Sequence, residues 1–213
     1  MIYTQETAKE TARLLLQINA IKLNPANPFT WASGWKSPIY CDNRKTLSYP
    51  EIRTALLNFF VQAIREKFAG VEVIAGVATA GIPMGMLIAQ EMKLPFIYVR
   101  SSAKDHGLQN QIEGVLNAGQ KVVVIEDLVS TGGSSLKAVE AIRASEGEVL
   151  GMAAIFSYAF PHAEKSFAEA GCSLITLGDY PHLVETALEQ GTILQEQIEL
   201  LNKWREQPDT WGK

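Results

Sequence analysis

Apolar residues follow two patterns along this chain. In some windows they recur every three or four positions: Ala8, Ala12, Leu15, Leu16 and Ile18 in residues 5–20, then Leu56, Phe59, Phe60, Ala63 and Ile64 further on. That spacing puts them on one face of a helix. Elsewhere they form short, mostly apolar runs, at residues 71–77, 95–99, 122–125, 148–156 and 173–177, the one at 122–125 made wholly of Val and Ile. Such runs suit strands buried on both faces, as inside parallel sheets. Between them lie further helical windows at residues 84–92, 136–144, 161–170, 181–190 and 192–207. Strand and helix in alternation predict an α/β fold, a parallel twisted sheet flanked by helices, with ligand at the carboxyl ends of the strands.

Local signals set the expected boundaries. Thr4 is placed to cap the first helix. Ser48-Tyr49-Pro50-Glu51 has the form of a capping box, opening a helix that runs to about Phe68 before Gly70. Gly147 is expected to end the helix before the strand at 148–156. Met84 to Met92 is expected to supply core filler rather than a site. Residues 24–28 hold two prolines and two asparagines and read as a loop. Aromatics alternating around Ser33-Gly34 predict a hairpin or two irregular short strands over residues 29–44, with Trp31 and Trp35 packed together. Residues 100–119 form a long connection with little apolar pattern, and such connections are usually functional or disordered.

Composition narrows the class. The chain has 213 residues, 47% hydrophobic and 20% charged, which suits one globular α/β domain. Its 19 basic and 23 acidic residues give a net charge of −4, which weighs against nucleic acid as a partner. The N-terminal residues carry no basic region followed by an apolar run, and no run nears the ~18 apolar residues of a membrane helix. The expectation is a cytoplasmic protein with no membrane partner. Cys41 and Cys172 lack metal-ligand spacing and are expected to be free thiols. His162 and His182 each sit beside a proline at a predicted helix start and are assigned no chemistry.

The chemistry concentrates just after the run at 122–125. Glu126 and Asp127 follow it where the strand is expected to end; Leu128 and Val129 come next, then Ser130-Thr131-Gly132-Gly133-Ser134-Ser135 before a helix. A Gly/Ser/Thr turn between strand and helix lets backbone N–H groups converge on an anion, and the helix dipole favours negative charge there. Two carboxylates beside such a cradle add acceptors for a diol, so the pattern suits a ligand with both phosphate and hydroxyls, such as a ribose phosphate. The turn lacks the Gly-Lys-Ser/Thr of a nucleotide P-loop, and no Gly-x-Gly-x-x-Gly is present. The plainer alternative is an ordinary strand–turn–helix with a serine cap. A second small-residue turn, Thr79-Ala80-Gly81, follows the run at 71–77, and its small side chains would let backbone approach a ligand.

The whole of the central stretch, a hydrophobic strand, two acids, two apolar residues and Ser-Thr-Gly-Gly-Ser, resembles the phosphoribosyl diphosphate signature of type I phosphoribosyltransferases. Phe29-Thr30 through Ser33-Gly34, Ser37-Pro38-Ile39-Tyr40 and Asp42-Asn43-Arg44 is similar to the N-terminal hood of the orotate-using members. Gly76-Val77-Ala78-Thr79-Ala80-Gly81-Ile82-Pro83 resembles their diphosphate loop. Arg100, Lys104, His106-Gly107 and Gln111-Ile112-Glu113-Gly114 resemble their catalytic loop. Two positions depart: many relatives carry lysine where Ala32 and Ser101 stand.

The resemblance implies one phosphoribosyltransferase domain over 1–213, with a core at about 49–178 and a small hood made of residues 1–48 plus the C-terminal helices. It implies transfer of ribose 5-phosphate from phosphoribosyl diphosphate to orotate, giving orotidine 5′-monophosphate, with Mg²⁺ as cofactor and a homodimer as the assembly. Lys104 and Asp127 are the implied catalytic residues. Arg100, Lys104, His106, Glu126, Asp127, Leu128, Val129, Ser130, Thr131, Gly132, Gly133 and Ser134 would bind phosphoribosyl diphosphate. Thr79, Ala80 and Gly81 would meet the diphosphate, and Ser130 with Tyr40 would meet orotate. Mg²⁺ would ride mainly on ligand oxygens, so no protein metal ligand is assigned. Two alternatives stay open: a purine phosphoribosyltransferase, which would share the central motif, and a non-catalytic sensor of phosphoribosyl diphosphate.

Overall fold

The structure, a computed structural model, describes residues 1–31, 33–100 and 111–212. Helix α1 (Gln5–Gln17) is capped as expected: the Thr4 hydroxyl accepts from the Thr7 N–H at 3.0 Å. Strand β1 (Ile21–Leu23) follows, then β2 (Phe29–Thr30), β3 (Lys36–Ser37) and β4 (Ile39–Cys41). The expected hairpin is the β2–β3 pair, while β4 turns back to pair antiparallel with β1. The turn between β3 and β4 is built on Ser37, whose buried hydroxyl donates to the Ile39 carbonyl at 2.8 Å and accepts from the Ile39 N–H.

A 3₁₀ turn (Asn43–Ser48) leads into α2 (Pro50–Lys67). The expected capping box does not form. Ser48 belongs to the 3₁₀ turn, Tyr49 takes the cap position without a side-chain bond, and Pro50 opens the helix. Strand β5 (Val73–Val77), α3 (Gly81–Met92), β6 (Phe96–Val99) and a two-residue strand β7 (Ile112–Glu113) come next. Of the methionines in α3, Met84 is core, whereas Met86 is 46% exposed and fills nothing.

Strand β8 (Lys121–Val129) is longer than its hydrophobic run predicts. It does not end at the acids, because Leu128 and Val129 keep pairing, with Phe156 and Ser157 of β9 (Glu148–Ser157). Between the two strands, α4 (Gly133–Ala144) starts three residues before the expected Leu136: Gly132, at φ +84°, reverses the chain, and its carbonyl accepts from the Leu136 N–H. That helix ends at Ser145, with Glu146 rather than Gly147 in the left-handed conformation. Gly147 serves close packing instead, since a Cβ there would meet Ile142 at 2.8 Å.

The chain closes with α5 (Pro161–Glu169), β10 (Leu174–Asp179), α6 (Tyr180–Glu189) and α7 (Ile198–Glu206). A helix running from 192 is interrupted because Leu194 is extended and its N–H is taken by the Gln197 side chain at 2.9 Å. The main sheet has the order β10-β9-β8-β5-β6-β7, parallel except at β7. Its central strand β8 is flanked by β5 and β9, and Val122 to Ile125 are wholly buried. Both loops of interest therefore leave neighbouring strands at the same sheet edge.

The small upper layer is assembled from both ends of the chain. Trp204 of α7 is wholly buried and donates its Nε1–H to the Lys36 carbonyl at 3.2 Å. Its ring meets Trp31, Tyr158, Phe160 and Tyr180 at centroid distances of 5.2–5.8 Å. Trp31 also stacks with Trp35, as expected.

Candidate active site

Glu126 and Asp127 lie side by side on β8, where the parallel sheet gives way to the turn that opens α4. Glu126 is only 6% exposed. One of its carboxyl oxygens accepts from the Asp127 N–H and the other from the buried Ser135 hydroxyl, each at 3.0 Å. Burial first, and then the neighbouring Asp127 charge, pushes the Glu126 carboxyl up to about 8. Burial also raises Asp127, against the pull of Arg44. Two acids this close oppose each other's ionisation, and burial adds to that most strongly at Glu126.

The turn itself is open. Thr131, Gly133 and Ser134 are exposed and Ser130 is half-buried, whereas Gly132 is packed so closely that a Cβ would lie 2.9 Å from the Phe167 ring. Gly133 has nothing within 4 Å of where a Cβ would stand, leaving space above the start of α4 for an anion. Val129 is wholly buried and Leu128 half-buried, so the Val129 side chain belongs to the core.

The second turn meets the first through backbone. Gly81 opens α3 so close to β8 that a Cβ would collide with the Ile125 carbonyl oxygen, and Glu126 Cα lies only 3.5 Å away. Thr79 and Ala80 precede it after a cis Ala78–Thr79 peptide. The Ala78 N–H donates to Val99, the residue before Arg100, so Arg100 leaves β6 beside this turn. The Arg100 guanidinium is 3.7 Å from Glu113, and the Arg100 backbone N–H donates to the Gln111 carbonyl at 2.8 Å. Lys104, His106, Ala32 and Ser101 lie outside the described residues.

Above the acids sits the β4 segment. Tyr40 is 43% exposed and leans on Phe29 at 5.7 Å between ring centroids. The buried Asn43 donates its side-chain N–H to the Asp127 carbonyl at 2.7 Å and accepts from the Cys41 thiol at 3.2 Å. Cys41 and the buried Cys172 are both free. The structure thus brings together Glu126, Asp127, the 130–134 turn, the 79–81 turn and Arg100, with the Tyr40 segment roofing the acids through Asn43. Sequence reading assigned no role to Asn43 or Ser135. Ser135 was within sight as the last hydroxyl of the turn, but Asn43 carries no local signal for a partner 84 residues away.

Residues 48–177 match the phosphoribosyl transferase domain family. The orotate phosphoribosyltransferase of Porphyromonas gingivalis is 58% identical over 204 residues, 96% of this chain and 97% of that one. Among solved structures, the orotate phosphoribosyltransferase of Aeropyrum pernix superposes with a TM-score of 0.75 at 26% identity, over 86% of this chain and 99% of that one. The UMP synthase of Leishmania donovani superposes at 0.77 with 26% identity, over 92% of this chain, which spans 42% of that longer protein. The chain belongs to the phosphoribosyltransferase family, and within it to the orotate phosphoribosyltransferases.

Proposed function

We propose that the protein transfers ribose 5-phosphate from phosphoribosyl diphosphate to orotate, releasing diphosphate and orotidine 5′-monophosphate, the penultimate step to UMP. The observation that carries this reading is the acid pair on β8, set between an open hydroxyl-and-glycine turn and a second small-residue turn. A sugar with hydroxyls in the middle and phosphates at each end matches that order of groups.

In the reaction a ring nitrogen of orotate loses its proton, to the departing diphosphate or to solvent, and bonds to ribose C1 as the C1–oxygen bond breaks and that electron pair leaves with diphosphate. Positive charge gathers on the sugar and negative charge on the leaving group, and no protein nucleophile is required. Glu126 and Asp127 accept from the ribose hydroxyls and favour the cationic sugar. Backbone and hydroxyls of residues 130–134 hold the 5′-phosphate at the N-terminus of α4. Arg100, Thr79, Ala80 and Gly81 meet the diphosphate, joined by Lys104 and His106. Ser130 and Tyr40 face the base.

Mg²⁺, a hard cation that keeps phosphate and water ligands, would ride mainly on ligand oxygens beside the exposed Thr131 and Ser134 of the turn. When bound it offsets charge on the diphosphate. The protein works as a homodimer in the cytoplasm, a reading supported by the family likeness; no described helix is long and apolar enough to cross a membrane. The test is incubation with phosphoribosyl diphosphate, Mg²⁺ and a panel of bases. Orotate is consumed while adenine, guanine and hypoxanthine are not. Purine turnover at a comparable rate would overturn the reading.

A further inference from the structure

Tyr158 directly follows β9 and is 3% exposed. Its ring is locked among Trp31, Phe156, Phe160 and Trp204, with centroids 5.1–5.8 Å away. A buried phenol normally finds a hydrogen-bond partner. The Tyr158 hydroxyl has none among the described residues, although the Tyr180 hydroxyl in the same aromatic group donates to the Leu201 carbonyl at 3.1 Å. Nor is the Tyr158 oxygen sealed in: among the described residues, the fully enclosed side-chain oxygens without a partner are those of Thr11 and Thr186. Its oxygen therefore reaches an opening.

The surroundings identify that opening. The Tyr158 N–H donates to the Val129 carbonyl at 3.2 Å, which sets Tyr158 level with Ser130, the first residue of the turn. Trp31, against its ring, donates its indole N–H to Ile39 at 3.0 Å, inside the Ser37–Tyr40 segment. The ionisable groups acting on the phenol are Cys41, Asp127, Tyr180 and Tyr40. Tyr158 thus stands between the base side of the turn and the roof over the acids. We propose that the Tyr158 hydroxyl donates a hydrogen bond to an acceptor oxygen of the pyrimidine base and is a specificity-determining residue of the site.

The chemistry is consistent. Burial, with the Cys41 and Asp127 charges adding, holds the phenol well above its ordinary value, so it stays a neutral donor. Orotate offers two ring carbonyls and a carboxylate, all acceptors. A donor fixed by four aromatic neighbours loses little freedom on binding, and an anionic acceptor strengthens the bond.

This inference rests on the orotate reading, and one comparison separates the two. Tyr158→Phe keeps the ring and its packing and removes only the hydroxyl. The expected result is a fall in kcat/KM for orotate of roughly tenfold to a hundredfold, the range for one hydrogen bond to a charged group. It should appear as a raised KM for orotate, with the KM for phosphoribosyl diphosphate and the Tm unchanged. An unaltered orotate KM in Tyr158→Phe overturns the inference and leaves the orotate reading standing. A drop in Tm with both KM values rising together overturns it too, since that marks a packing role. If the unaltered chain consumes no orotate, the reading beneath falls with it.

Discussion

The Asn43 side chain donates to the Asp127 backbone carbonyl across 2.7 Å, tying the roof of the site to the strand that carries its acids. Asn43 is buried and the bond part-buried, so removing the donor leaves the carbonyl short of a partner. Asn43→Ala is expected to lower stability by about 1–3 kcal/mol in urea unfolding. Because the acid shifts with its backbone, kcat/KM is expected to fall by about 10²-fold at most, the loss tied to a 1 Å misplacement. Unchanged kinetics in a folded variant would mean the roof and the acids act independently.

Asp127→Asn keeps the shape of the side chain and removes its charge. The expected loss is on the order of 10²-fold in kcat/KM, about 2.7 kcal/mol of transition-state stabilisation. Full activity in the folded variant would remove Asp127 from the ribose.

Glu126 makes a pH-dependent contribution whose sign is fixed by its raised carboxyl. Folding favours the neutral form, so the contribution is complete below the ordinary carboxyl range and drains away as pH climbs towards about 8. Glu126→Gln cannot ionise and can still accept from Ser135. Relative to the unaltered chain, the Gln variant should gain in Tm as pH rises from 5 to 8. Parallel Tm profiles across that interval would contradict the raised Glu126 carboxyl.

Two glycine substitutions probe the two turns differently. Gly81→Ala drives a methyl into the Ile125 carbonyl, where only backbone can give way. A loss of stability of about 3 kcal/mol is expected. Gly133→Ala meets nothing within 4 Å and lies in the first turn of α4. Its Tm should hold or rise, while the KM for phosphoribosyl diphosphate rises, because the methyl enters the space assigned to phosphate. Normal affinity in Gly133→Ala would displace the phosphate from this turn.

Lys104→Ala follows from the sequence pattern. A cation facing a leaving group whose charge grows in the transition state should act on kcat more than on KM. The expected fall in kcat is roughly 10²–10³-fold. A raised KM with kcat intact would place Lys104 elsewhere.

Much of this was legible in the chain because the core is locally encoded. The run from Val122 to Ile125 is buried on both faces as its composition requires, and the acids and glycines beside it needed no distant partner to be recognised. What escaped was set by pairing between segments. The end of β8 was misplaced because Leu128 and Val129 owe their strand geometry to β9, not to their own sequence. The Ser48 capping box gave way to a competing 3₁₀ turn, held in part by the Thr46 hydroxyl on the Asn43 carbonyl. Tyr158 was passed over because an isolated tyrosine at a strand end carries no motif. Only the aromatic group assembled around it makes its hydroxyl conspicuous.

The bond from Trp204 to Lys36 has a consequence for how the molecule is made. The two residues are 168 positions apart, and every strand of the main sheet is translated before Trp204 emerges. A growing chain can pair β5, β8 and β9 and form both ligand turns while its roof still lacks the indole that pins it. On the proposed function, the turns assigned to phosphate can thus form early in synthesis, while the segment assigned to the base is pinned only with the last helix. A nascent chain would grip the sugar donor before it could choose the base.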